Sequence, residues 1–98
     1  MAGTAPDFHP DAVLEMEDAH DWYEARSQSA AEAFLYELNL AIQRVLEAPG
    51  RWPRDEGVAR RFVLRRFPFN LIYRKVGATI QFVALAHHKR KPGYWRSR

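Results

Sequence analysis

The sequence predicts an α+β fold: an N-terminal antiparallel helical hairpin packed on an antiparallel β-sheet meander. Three observations carry this expectation. Apolar residues recur at spacings of three and four through residues 10–48, the signature of helix faces. Three short apolar runs with hairpin-length separators follow between residues 59 and 87. Charge divides at the same place. Residues 1–48 hold ten acids against two bases, a net of −8, and residues 49–98 hold thirteen bases against two acids, a net of +11. One half is therefore expected to be a solvated scaffold. The other meets an anion, either nucleic-acid phosphate or an acidic protein segment.

The chain is 98 residues long, which makes one domain spanning 1–98, with 1–6 expected to be frayed. Asp7–His9 has the length of a short edge strand. Pro10 suits the first helical position, and Asp11 favours the positive end of a helix dipole. From there to Arg26, the residues Val13, Met16, Ala19 and Tyr23 form one face, with Glu15, Asp18 and Asp21 largely off it. Ser27-Gln28-Ser29 interrupts the pattern. Ser29 with Glu32 three residues on makes a capping box for a second helix. That helix runs to about Ala48, with Phe34, Leu38, Ala41, Ile42 and Val45 inward, and Pro49-Gly50 ends it. So short a break between the helices calls for a hairpin.

Residues 51–58 form a loop. Strands are expected at 59–66, 69–75 and 79–87, separated by Phe67-Pro68 and by Val76-Gly77-Ala78. Strict alternation puts Phe62 and Leu64 on one face, with Phe69, Leu71 and Tyr73, and with Ile80, Phe82, Ala84 and Ala86. That apolar face packs on the helices. The opposite face displays Arg61, Arg65, Asn70, Arg74, Gln81 and His87. Pro92-Gly93 turns the tail, so that Tyr94 and Trp95 can fold back on the sheet.

Composition excludes several functions. There is no cysteine, so disulfides and thiolate metal sites are out, as suits a reducing cytoplasm. The N-terminus has no basic and apolar leader pattern, and no apolar run approaches the ~20 residues of a membrane span. No cofactor, no metal and no membrane is expected. There is no Gly-rich phosphate loop, nucleophile elbow or zinc motif. What remains is the cationic sheet face and its tail. Arginines in a row on a pleated surface repeat at about 7 Å, close to phosphate spacing on an extended strand, and Tyr94 and Trp95 can stack on bases. His87-His88 adds a group with a near-neutral pKa, which RNA cleavage needs as base or acid beside a cation on the phosphate. Period two sends only one of the pair to the cationic side, and His87 is the choice.

The order of parts is also informative. Trp22-Tyr23 and Glu37-Leu38-Asn39-Leu40-Ala41-Ile42 are followed by Pro49-Gly50-Arg51-Trp52-Pro53 and Arg60-Arg61-Phe62-Val63-Leu64. Then come Phe67-Pro68-Phe69-Asn70-Leu71-Ile72-Tyr73-Arg74 and the run from Ala84 to Trp95. This resembles the RelE/ParE superfamily of type II toxin–antitoxin toxins, over about residues 7–96. The resemblance implies two helices on an antiparallel sheet and a tight complex with a cognate antitoxin. It also implies one of two targets. RelE-like members cut mRNA on the ribosome, using basic residues and a C-terminal Tyr or His. ParE-like members lack that set and poison DNA gyrase by binding. Under the cleaving alternative, His87, Tyr94 and Arg65 are the catalytic candidates. Arg61 and Arg65 hold phosphate, His87 or Tyr94 is base or acid, and Lys89 or Arg90 neutralises the pentavalent intermediate. Arg61, Arg65, Arg74, Lys89 and Arg90 make the target-binding surface under either. Asn70 stands where cleaving members carry an arginine. A basic nucleic-acid-binding module without toxicity is the alternative outside the family.

Overall fold

The computed structural model describes residues 6–98, so most of the segment expected to be frayed lies outside the described residues. The elements are β1 (Asp7–Phe8), α1 (Pro10–Glu24), α2 (Gln28–Glu47), β2 (Arg60–Val63), β3 (Phe69–Val76) and β4 (Thr79–His87). Two helices thus precede a sheet of order β1-β4-β3-β2. β2, β3 and β4 form the antiparallel meander, and β1 adds in parallel to β4, which makes the sheet mixed. Phe8 holds that edge by stacking on Phe82 with ring centroids 5.0 Å apart.

α1 begins with His9 as N-cap, its Nδ1 accepting from the Asp11 N–H at 3.1 Å, and Pro10 occupies the first turn. α2 is capped two residues earlier than the sequence suggests. Ser27, not Ser29, accepts from Ala30 N–H at 3.2 Å, because the chain leaves α1 at Glu24 and needs only a three-residue break. The main core lies between α2 and the sheet. Phe34, Leu38, Ala41 and Val45 meet Leu64, Leu71, Tyr73, Phe82 and Leu85. Each large side chain so buried contributes about 1.5–3 kcal/mol. Tyr23 closes one end against Phe34 and Phe67. Tyr73 Oη donates to Pro49 C=O at 2.6 Å and ties the end of α2 to the sheet. At the β3–β4 hairpin, Gly77 supplies the positive φ of a tight two-residue loop.

Two departures from strict alternation decide the character of the far face. First, β4 carries a bulge. Ile72 pairs with Ala84 but Tyr73 pairs with Phe82, so Val83 is the extra residue. Beyond it the faces exchange. Leu85 joins Ile80 and Phe82 in the main core, while Val83, Ala84 and Ala86 turn to the far side. The expectation that Ala84 and Ala86 face the helices is thereby corrected, and so is the placement of His87. It pairs with Phe69, on the helix side, and its ring meets Phe69 edge-on at 5.2 Å.

Second, β2 stops at Val63 rather than at residue 66. Leu64 still drops into the core, but the next two backbone N–H groups leave the ladder. Arg65 and Arg66 donate theirs to the Glu37 carboxylate of α2, and Arg66 Nε adds a third bond at 3.2 Å. Glu37 is only 8% exposed, the one charged residue among the described residues that the fold buries. Arg65 therefore sits in the β2–β3 loop, bordering a groove with Tyr36 and Leu40, and not on the far face of the sheet.

Candidate cationic cleft

The far face is not bare. Ile72, Val83, Ala84 and Ala86 form a second apolar strip there, closed by Ala59 and by Trp95, which is 4% exposed. The tail covers this strip because Gly93, at φ +75°, reverses the chain after Pro92. What strict alternation predicts as an open arginine-bearing surface is thus a small second core with a cationic rim.

That rim encloses a cleft of about 250 Å³. Arg61 comes from β2, Asn70 from β3, His87 and His88 from the end of β4, and Arg90 and Lys91 from the tail. The floor is Ile72, Ala86 and Trp95. Arg61 Nη1 is held by the Arg54 carbonyl at 2.9 Å and by Asp55 Oδ1 at 3.3 Å. His88 Nε2 lies 3.1 Å from Asn70 Oδ1, so the tautomer with hydrogen on Nε2 makes this bond. Arg90 stacks on the Tyr94 ring at 3.7 Å. Against these cations the cleft has one acid, Asp55, and the balance favours an anionic ligand.

The expected site residues thus divide. The cleft brings together Arg61, His87, Arg90 and Tyr94. Arg65 lies with α2, as described. Arg74 is on the far face but engaged: its Nε donates to Gln81 Oε1 at 2.9 Å and its Nη2 to the Arg98 carbonyl at 2.8 Å. Lys89 is exposed beside the cleft, and its backbone N–H donates to His87 Nδ1 at 3.0 Å. Tyr94 commits its hydroxyl to Glu15, which does not line the cleft, donating to Oε2 at 2.6 Å. Burial, and then this bond to a carboxylate, push the phenol well above the usual tyrosine range. The hydroxyl therefore stays protonated at neutral pH, a poor proton donor with no phenolate at hand to act as base.

Glu15 is the residue that sequence reasoning assigns to a solvated helix face and that the structure places at a junction. Its Oε1 accepts from Leu85 N–H at 3.0 Å and Arg98 Nη1 at 2.9 Å. Its Oε2 accepts from Tyr94 Oη at 2.6 Å and Arg98 Nη2 at 2.9 Å. The bidentate bond to Glu15 raises the pKa of Arg98 further. The only signal in the sequence is that Glu15 falls four residues before Ala19, next to the buried face. His20, Asp21 and Glu24 on α1 bring ligand atoms within 4.8 Å of one another, but none of them lines the cleft.

A helical hairpin on a short meander, with a tail folded over the far face and a cationic mouth, defines the class of small toxin-like domains that the sequence resembles. The family scan agrees. Residues 7–92 match the model described as "ParE toxin of type II toxin-antitoxin system, parDE", and the chain belongs to that family. Among solved structures, it is similar to a chain of the "Chromosomal ParDE TA system from P. aeruginosa". The TM-score is 0.75 at 16% identity, over 89% of this chain and 98% of that one. At such identity the likeness is one of fold. No curated protein matches the sequence.

Proposed function

We propose that this toxin acts by binding rather than by cutting RNA, with DNA gyrase as its target and a cognate antitoxin as its partner. The observation that carries this reading is that none of the three groups that cleavage would need is free at the cleft: one lies elsewhere and two are engaged. Arg65 is pinned to α2 through Glu37, Tyr94 has given its hydroxyl to Glu15, and His87 stacks edge-on against Phe69. General acid–base catalysis requires its groups within hydrogen-bond reach of one reacting atom, directly or through one water. The gyrase target comes from the resemblance to ParE-like members, and the similar solved chain belongs to a ParDE pair. The cleft rim of Arg61, Arg90 and Lys91, with Lys89 beside it, is the contact surface in this reading.

The cleaving alternative keeps one specific support. His88 stands on the cationic side, hydrogen-bonded to Asn70 and lining the cleft with Arg61 and Lys91, while the ring of His87, at the edge of the cleft, packs on Phe69. Two assays run in parallel separate the readings. Purified toxin with gyrase and supercoiled DNA should accumulate double-strand breaks, and message in a translation extract should stay intact. Cut message that His88→Ala abolishes, with no DNA breaks at saturating toxin, would reverse the assignment.

A further inference from the structure

We infer that Glu15 is a positioning residue for toxicity: it holds the C-terminal segment, and with it Arg90 and Lys91, in the place where they meet the target. The inference rests on the cleft being the contact surface, as proposed above. Glu15 touches no ligand there. It acts through Tyr94 and Arg98.

Each carboxylate oxygen of Glu15 accepts two donors, so its acceptor capacity is filled. One donor, Leu85 N–H, belongs to β4 just past the bulge, where β1 no longer provides a neighbour because it pairs only with Gln81 and Phe82. The other three belong to the tail. Arg98 adds a bond from Nη1 to Val83 C=O at 3.1 Å, and its own carbonyl receives Arg74. Tyr94 is flanked by two guanidinium groups, Arg90 at 3.7 Å and Arg98 at 5.1 Å from its ring centroid. Glu15 fixes the hydroxyl of Tyr94, and the ring of Tyr94 carries Arg90. The path from α1 to the cleft is therefore short and continuous. Glu15, like Glu37, joins the acidic half of the chain to the basic half. Its side chain is 17% exposed and that of Arg98 14%, so salt screens the pair less than it screens surface charges.

The other polar ties of the tail are single: Arg74 to the Arg98 carbonyl, Arg98 to Val83 C=O, and Arg98 to Asp11 at 3.7 Å. Trp95 seals the second core, but the strip beneath it consists mainly of small residues, and the exposed ion pair Arg96–Glu56 adds little. With Glu15 neutralised, Arg98 keeps only the longer pair with Asp11 at 3.7 Å, and the cations at Arg90 and Lys91 lose their fixed position. The main core between α2 and the sheet contains none of these groups.

The test uses the full chain with Glu15→Gln, and as a second variant Tyr94→Phe with Arg98→Gln, which opens the junction from the tail side and leaves Leu85 N–H on Glu15. Hydrogen exchange at the Trp95 indole, and trypsin cutting after Arg90 and Arg96, report the tail. Circular dichroism and exchange within α2 report the main core. Growth arrest reports toxicity whatever the target, and DNA breaks with gyrase report the proposed one. Both variants should expose the tail at least tenfold more often, leave α2 protected, and weaken growth arrest at least tenfold. In Arg90→Ala/Lys91→Ala, which should weaken toxicity with the tail still closed, adding Glu15→Gln should cost little more, because coupled residues are not additive. A closed tail in both variants overturns the inference. So does an open tail with growth arrest at full strength. A wild-type toxin that arrests growth without DNA breaks would refute the gyrase reading alone, and growth arrest would still decide the role of Glu15.

Discussion

Replacing Glu37 with alanine should destabilise the fold by about 2–3 kcal/mol, and the reason is visible bond by bond. The carboxylate accepts two backbone N–H groups, from Arg65 and Arg66, and the Arg66 guanidinium. Hydrogen bonds to a charged acceptor contribute roughly 1.5–3 kcal/mol each. The buried carboxylate itself costs desolvation, and water reaches the freed loop amides in part, which brings the net below the roughly 3–6 kcal/mol of the two backbone bonds, to about 2–3 kcal/mol. The ion pair adds little: Arg66 is 62% exposed, so screening leaves about 0.5 kcal/mol or less. Arg66→Ala should therefore be nearly neutral, and Glu37→Gln, which keeps one acceptor oxygen, should cost about half as much as alanine. Urea unfolding of the three variants at neutral pH measures this, and for a domain of this size the alanine variant should melt about 10–20 °C lower. Hydrogen exchange should show the amides of residues 65 and 66 losing protection first. A cost under about 1 kcal/mol for Glu37→Ala, or an equal cost for Arg66→Ala, would refute this explanation of why β2 ends at Val63.

Three further outcomes are expected. Gly93→Ala should cost about 1–2 kcal/mol by chemical denaturation, since φ is +75° and a Cβ would lie 2.7 Å from the Arg96 side chain and 2.9 Å from Glu56 Oε1; an unchanged midpoint would mean that the tail turn is not under this constraint. Stability should fall as pH climbs past about 10, the ordinary tyrosine value, because Tyr94, Tyr73 and Tyr23 all have raised pKa values and the unfolded chain releases those protons first; the decline should be shallower in Tyr94→Phe, and an identical slope would contradict it. In growth-arrest assays Arg61→Ala should weaken the toxin several-fold and Arg65→Ala should not, because only Arg61 lines the cleft; the reverse order would place the contact surface beside α2.

The helices were legible because their periodicity and end signals agree. Pro10 and Pro49-Gly50 bound the hairpin close to where it begins and ends. The strand positions were legible too, and β4 matches its expected range of 79–87. What alternation could not reveal was the bulge at Val83. One extra residue inverts every side chain beyond it, and the inversion moves Leu85 inward and His87 to the side of Phe69. Nothing in Phe82-Val83-Ala84-Leu85 marks the place, because all four are apolar and fit either face. The two functional misreadings share another cause. Glu15 on α1 and Glu37 on α2 look like ordinary surface acids, and their partners stand 28 to 83 residues away in sequence. Only the packed fold shows that Glu37 withdraws Arg65 from the site and that Glu15 fastens the tail across it.

Binding without cutting is tested most directly with the purified toxin, DNA gyrase and supercoiled plasmid, beside a translation extract charged with a mapped message. Double-strand breaks should accumulate, disappear when antitoxin is added, and leave the message full length. Fragmented message with the plasmid left whole would contradict a binding mechanism.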